Sequence, residues 1–182
     1  EESWKKLYRG LSVRDTGKVV TSWDGRAVEE YDSNGDFVRS FGEEILKYAK
    51  DITVANDGRV LVVAIDEDSL SVRDMYMNED FVIHTFGEHG DHLNKFELQL
   101  NDFVYTSITF HPASEHVVVA GRGPERHVQV KIYSKDGKFV RSVKIQNSTD
   151  FSSLIGILGI TLKNDGTIAV IICGFPGKVV VL

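Results

Sequence analysis

The sequence predicts an all-β fold, a small β-propeller of four-stranded antiparallel blades. Three observations predict it. A short phrase returns three times, as NGDFVRSFG from Asn34, NEDFVIHTFG from Asn78 and KDGKFVRSV from Lys135. A strand, tight turn and strand return four times, as GLSVRDTGKVVTSW from Gly10, DITVANDGRVLVVA from Asp51, SITFHPASEHVVVAG from Ser107 and GITLKNDGTIAVIIC from Gly159. Helical periodicity is poor everywhere except the short EEILKYAK from Glu43, which reads as a turn of helix between units. Four-stranded units of roughly 40–45 residues are the signature of a propeller.

The elements follow in order within each unit. Asp-Gly and Asn-Gly turns join the first two strands, because glycine, and to a lesser degree Asn or Asp, accepts positive φ. A third strand comes next: RAVEEYD, LSVRDMY, HVQVKIY and KVVVL in the four units. In the first three units another polar turn leads into the repeated phrase, read as the fourth, outer strand. RVLVVAI and TIAVIIC are apolar on both faces, as expected of strands packed between neighbouring sheets.

This reading places blade 1 at 10–42, blade 2 at 51–87, blade 3 at 107–145 and blade 4 at 159–182. The stretch Gly87–Tyr105 becomes an insertion. The fourth unit lacks an outer strand, and a bare KVVVL would be an apolar edge. SWKKLYRG at the start keeps the aromatic, basic, aromatic spacing of DFVRSFG, so residues 2–9 are expected to complete blade 4 and close the ring. A larger ring, with blades supplied from elsewhere, is the alternative.

Composition narrows the function. The chain has 182 residues, a net charge of −6 and a single cysteine, Cys173. One cysteine forms no internal disulfide, and a buried thiol fits a reducing compartment, so the expected location is cytoplasmic. No apolar run approaches the roughly 18–20 residues that span a bilayer, and no membrane contact is expected. The negative balance gives no overall attraction for nucleic acid.

ITVANDGRVLVVAIDEDSLSVRDMYMNEDFVIHTFG and RHVQVKIYSKDGKFVRSV resemble the NHL repeat in their order of strand, Asp-Gly turn, strand, loop, strand, turn and Phe-Val strand. The Asn-His-Leu tripeptide is absent, and DHLN is a near miss. The resemblance implies a recognition module of the kind found at the end of tripartite-motif ubiquitin ligases, where it selects substrates or binds RNA. Familiar rings of that family have about six blades.

In a propeller the loops joining second to third strands, and fourth to next first strands, share one rim. Loops on a rigid scaffold carry recognition. That rim collects Arg9, Trp23, Arg26, Lys47, Tyr48, Lys50, Lys95, Tyr105, Arg122, Arg126, Phe175 and Lys178. Arginine with aromatic groups suits protein hot spots and RNA stacking alike. The same loops carry Glu43, Glu44, Asp66, Glu67, Asp68, Glu88, Asp91 and Glu125, so no simple basic footprint is expected. A protein or peptide partner is preferred over RNA.

His89 and His92, in HGDH, are weak zinc candidates without a third ligand. No nucleophile elbow or phosphate-cradling loop is present. Propeller lyases related to this repeat use metal-binding histidines around the channel, but the histidines here do not recur at equivalent positions. No enzyme activity and no cofactor are expected, and the oligomeric state is left open. Phe37, Phe41, Phe81, Phe86, Phe139 and Trp4 are expected to pack between blades.

Overall fold

The computed structural model of the chain describes residues 8–23, 26–65, 81–98, 104–122, 128–145, 156–163, 165–173 and 178–181. Its turns determine how these residues pair. Arg14 N–H donates to Lys18 C=O at 2.8 Å, and Gly17 N–H donates back to Arg14 C=O at 2.8 Å. The same reciprocal pair closes Asp32–Asp36, Ala55–Arg59, Gly87–Asp91, Ser134–Lys138 and Lys163–Thr167. Each of these loops puts a glycine in the left-handed region, with φ between 80° and 88°. This is the three-residue hairpin loop, whose last residue needs positive φ. The third unit departs from it, with Glu115 at φ 51°.

The strands are β1 (Tyr8–Val13), β2 (Val19–Trp23), β3 (Ala27–Tyr31) and β4 (Phe37–Phe41) in the first blade, and β5 (Asp51–Val54), β6 (Val60–Ile65), β7 (Phe81–Phe86) and β8 (His92–Glu97) in the second. The third holds β9 (Val104–His111), β10 (His116–Arg122), β11 (Val128–Ser134) and β12 (Phe139–Ile145). The fourth holds β13 (Gly156–Leu162), β14 (Ile168–Cys173) and β15 (Lys178–Val181) among the described residues. Each sheet is an antiparallel meander in chain order. The sheets stand as the four blades of a β-propeller, with no helix among the described residues. The inner strands β1, β5, β9 and β13 together line a channel of about 330 Å³.

Two boundaries differ from the sequence reading. In blade 2 the phrase FVIHTF is the third strand, hydrogen-bonded on both sides, to β6 and to β8. The outer strand is His92–Glu97, inside the stretch expected to be an insertion, so the blade extends to residue 97. LSVRDMY, expected as the third strand, lies outside the described residues. The burial of β7 along its whole length gives the physical reason: six consecutive residues are buried, as a central strand requires, whereas β4 is mostly exposed. At the other boundary, Tyr8 and Arg9 belong to β1, Tyr8 opposite Trp23, instead of to a closing strand. Residues 2–7 of that expected strand, Trp4 included, lie outside the described residues.

Apolar clusters fill the spaces between successive blades. Val60, Val62 and Ala64 of β6 point into a cluster shared with Val20 and Val28 of blade 1. Alternate residues Leu61, Val63 and Ile65 point into a cluster with Ile108, Phe110, Val117 and Tyr133 of blade 3. The period of two along a strand thus explains a sequence that is apolar at every position. A third cluster joins Val118, Val130 and Ile132 of blade 3 to Ile168 and Val170 of blade 4. Phe81 and Phe86 are buried and Phe41 packs partly buried, as expected, but Phe37 and Phe139 are largely exposed. Those two cover Tyr31 and Tyr133 edge-on, with ring centroids 5.8 Å apart in both pairs.

Candidate functional site

The connector between β4 and β5 builds a concavity on the loop rim. Gly42 C=O accepts hydrogen bonds from Ile45 N–H at 3.0 Å and Leu46 N–H at 2.8 Å, which closes a single tight turn. The turn drives Leu46, and Ala49 after it, into the cluster between blades 1 and 2, where both are buried. Lys50 N–H then donates to Val63 C=O at 2.7 Å and fastens the connector to blade 2. With Leu46 and Ala49 turned inward, the intervening Lys47 and Tyr48 are left at the rim. Tyr48 is 50% exposed and holds φ at 54°. A bulky residue rarely adopts this left-handed backbone, and such strain gathers at ligand-binding positions.

Around Tyr48 lies a pocket of about 390 Å³. Among the described residues of its wall, Arg9 enters from β1, Arg26 from the residue before β3, and Lys47 and Lys50 from the connector, with Glu43 as a carboxylate beside them. Ser40 Oγ donates to that carboxylate. The rim loops as a set carry both signs of charge, but among the described residues folding gathers Arg9, Arg26, Lys47 and Lys50 beside Glu43 here. Close grouping of like charge in a concave wall raises the local potential well above that of a dispersed surface. Its described wall sets basic side chains beside the aromatic face of Tyr48.

The opposite rim is organised differently. Glu30 is buried and receives Arg39 Nε at 2.7 Å and Nη2 at 2.5 Å, with Lys18 Nζ at 3.4 Å and Arg14 Nε at 3.5 Å. Burial alone would raise this carboxyl, but the hydrogen bond from Arg39 and the charges of Arg14 and Arg39 outweigh it, and the net shift is downward. The same arginines reach across to blade 2: Arg14 donates to Gly58 C=O, and Arg39 Nη2 donates to Glu88 C=O at 2.5 Å. This network latches blade 1 to blade 2.

In the channel, Asp51 joins blade 2 to blade 3. Its carboxylate accepts from Ser107 Oγ at 2.5 Å, Ile108 N–H at 3.0 Å and Ile52 N–H at 2.9 Å. Burial pushes the Asp51 carboxyl up, and the three donors only partly offset it. A methyl group at Gly10 would come within 2.5 Å of Asp51 Oδ1, so β1 approaches β5 at a distance only glycine permits.

The pocket thus unites five residues the sequence singled out, Arg9, Arg26, Lys47, Tyr48 and Lys50. Trp23, Tyr105, Arg122 and Lys178 lie on the strands β2, β9, β10 and β15, and their side chains fall outside the described residues. Arg126 and Phe175 also lie outside them. His89 stands exposed in the Gly87–Asp91 turn, while His92 finds a different partner: its Nε2 lies 3.2 Å from Nδ1 of His84. That pairing depends on the β7–β8 register, which the repeat reading had displaced. Among the described residues, no group of three His, Cys, Asp or Glu could hold a metal ion.

No protein-family model matches the chain. A curated relative, the brain tumor protein of Drosophila melanogaster, is 32% identical over 77 residues, 41% of this chain and 7% of that protein. Among solved structures, the chain is similar to the WD40 β-propeller domain of Doa1, with a TM-score of 0.61 and 16% identity, covering 96% of this chain and 50% of that one. It is also similar to a catalytically inactive virginiamycin B lyase of Staphylococcus aureus, with a TM-score of 0.59 and 18% identity, covering 100% of this chain and 57% of that one. At these identities the solved structures show the fold alone. The chain spans little more than half the length of these solved propellers and a small part of the curated relative.

Proposed function

We propose that the chain is a non-catalytic recognition module that holds an acidic protein or peptide segment in the rim pocket between blades 1 and 2. The observation that carries this reading is the grouping of Arg9, Arg26, Lys47 and Lys50 around the half-exposed, left-handed Tyr48. Arginine and tyrosine on a rigid support are the residue types that anchor protein interfaces. In this reading the module would present substrates to a larger ubiquitin ligase, as the likeness to tripartite-motif proteins implies. Catalysis draws no support from the channel wall, whose described carboxylate, Asp51, is already engaged by three donors.

RNA is the second reading, favoured by the same cations placed beside an aromatic ring on which a base can stack. A pull-down from lysate across a salt series, divided into protein and RNA fractions, separates the two. A protein captured by the wild type, lost with Arg26→Glu or Lys47→Glu and kept with Asp57→Lys on the opposite rim, is the expected result. Capture that is nuclease-sensitive and falls steeply with salt assigns the pocket to RNA. Capture that ignores both rim substitutions contradicts the site.

A further inference from the structure

The hairpin loops share one backbone but are not held alike. Several are fastened from a neighbouring blade. Arg14 of blade 1 donates to Gly58 C=O in the Ala55–Arg59 loop, and Arg39 Nη2 donates to Glu88 C=O at 2.5 Å in the Gly87–Asp91 loop. A phenylalanine of the leading blade also presses on the glycine of the next. A methyl group at Gly90 would lie 2.8 Å from the Phe41 ring, and one at Gly137 would lie 2.5 Å from the Phe96 ring.

The Asp32–Asp36 loop of blade 1 is tied from within. Asp32 N–H donates to Asp36 C=O at 2.9 Å, and Gly35 N–H donates to Asp32 C=O at 3.0 Å. The Asp32 carboxylate accepts from Asn34 N–H at 2.8 Å and Asp36 N–H at 3.0 Å, and also meets the Asn34 side-chain amide. Among the described residues, no hydrogen bond reaches this loop from another blade, and Ser33, Asn34, Gly35 and Asp36 are all exposed. Exposed segments with few tertiary contacts open at low free-energy cost.

This loop carries the single Asn-Gly pair of the chain, Asn34-Gly35. A main-chain nitrogen can attack the amide carbon of an asparagine that precedes it, which contributes to the thermal lability of asparagine. A side chain on the attacking residue obstructs the approach, and glycine has none. The Asp-Gly pairs of other loops, at 57–58, 136–137 and 165–166, offer instead a carboxylate, a poorer electrophile than an amide.

We propose that Asn34 is a site of self-modification by deamidation. When the loop opens, the Gly35 nitrogen loses its proton to a base in solution and bonds to Asn34 Cγ. The Cγ–Nδ2 bond breaks, and the amide nitrogen takes up a proton from water and leaves as ammonia. Water then opens the cyclic imide at either carbonyl. Attack at Cγ gives aspartate, and attack at the main-chain carbonyl gives isoaspartate. Water is consumed and ammonia released, with no change of oxidation state. Either product sets a new carboxylate between Asp32 and Asp36. Isoaspartate also adds a methylene to the main chain of a loop whose geometry depends on its residue count. The loop lies on the rim opposite the basic pocket, so the proposal is independent of what that pocket binds.

The test incubates the full 182-residue chain at mildly acidic and mildly alkaline pH, with digestion by trypsin and peptide mapping by mass spectrometry over time. Trypsin releases 27–39 as one peptide, in which Asn34 is the only asparagine. That peptide is expected to gain the mass difference between an amide and an acid, faster at alkaline pH, and to resolve into two products. Peptides carrying Asn56 or Asn94 are expected to stay unchanged, and Gly35→Ala to slow conversion several-fold. A synthetic peptide of residues 27–39, incubated alongside, supplies a comparison that does not depend on the variant folding. Asn34 intact in the folded chain after the peptide has converted, equal conversion at Asn56 and Asn94, or an unslowed Gly35→Ala overturns the proposal.

Discussion

The junction between blades 1 and 2 and the junction between blades 2 and 3 share an apolar filling and one further device, and differ in their polar parts. In both, an outer-strand phenylalanine closes on a glycine turn, Phe41 on Gly90 and Phe96 on Gly137. The second junction is otherwise a broad apolar cluster holding Phe81 and Tyr133, tied at the channel by one hydrogen-bonded carboxylate. The first adds a buried ionic network at Glu30 and a longer connector that opens into a basic pocket. The repeated device holds the ring together, and the candidate site grows where the junctions stop repeating.

Substitutions that separate the two junctions should differ in size. Phe81→Ala at the second junction removes a buried ring and is expected to cost roughly 3–5 kcal/mol in denaturant unfolding. Unchanged stability would remove Phe81 from the core. Glu30→Gln at the first junction leaves Arg14 facing an amide. Breaking a buried pair costs about 3–5 kcal/mol, reduced here to about 2–3 because Lys18 and Arg39 keep contact with solvent. Gly137→Ala should cost about 2 kcal/mol, from positive φ and the Phe96 contact together, whereas Gly35→Ala should cost only about 1 from φ alone. Equal losses would mean that the aromatic contact contributes nothing.

Acid should act on the two junctions with opposite signs. The Glu30 carboxyl is held below its ordinary value of 4.5 in the folded chain. Its stabilisation is present above that value and is lost as pH falls through the lower, folded one. The Asp51 carboxyl is raised above its ordinary 3.8, so its contribution is present below 3.8 and lost as pH rises through the folded value. Unfolding measured against pH should therefore lose its acid-side decline in Glu30→Gln and its opposing, higher-pH decline in Asp51→Asn. Parallel curves for both variants and wild type would contradict the assignment. The smallest effect belongs to Tyr48→Gly, which relieves left-handed strain and should raise stability by about 1 kcal/mol while weakening partner capture. A loss of both would make Tyr48 a structural residue.

The sequence revealed the architecture because hairpin turns carry a local signature. Gly17, Gly58 and Gly166 each follow Asp or Thr at the turn and adopt the positive φ that their spacing implied. It misplaced the second blade because likeness of wording is not likeness of position. FVRSF and FVIHTF look alike, yet only the second is apolar enough on both faces to serve as a central strand. Lys47, Tyr48 and Lys50 were legible as rim residues. Their convergence with Arg9 and Arg26 was not, because it depends on how Leu46 and Ala49 anchor the connector against a neighbouring sheet. The His84–His92 pairing escaped for the same reason, being a matter of strand register.

The recognition site is tested most directly by amide shifts of the labelled chain during titration with a short Glu/Asp-rich peptide containing an aromatic residue. Changes centred on Arg9, Arg26 and the 43–50 connector, and absent from Arg26→Glu/Lys47→Glu, are the predicted result. Changes centred on the opposite rim, around Asp15 and Asn56, or an undisturbed connector at saturation, would contradict it.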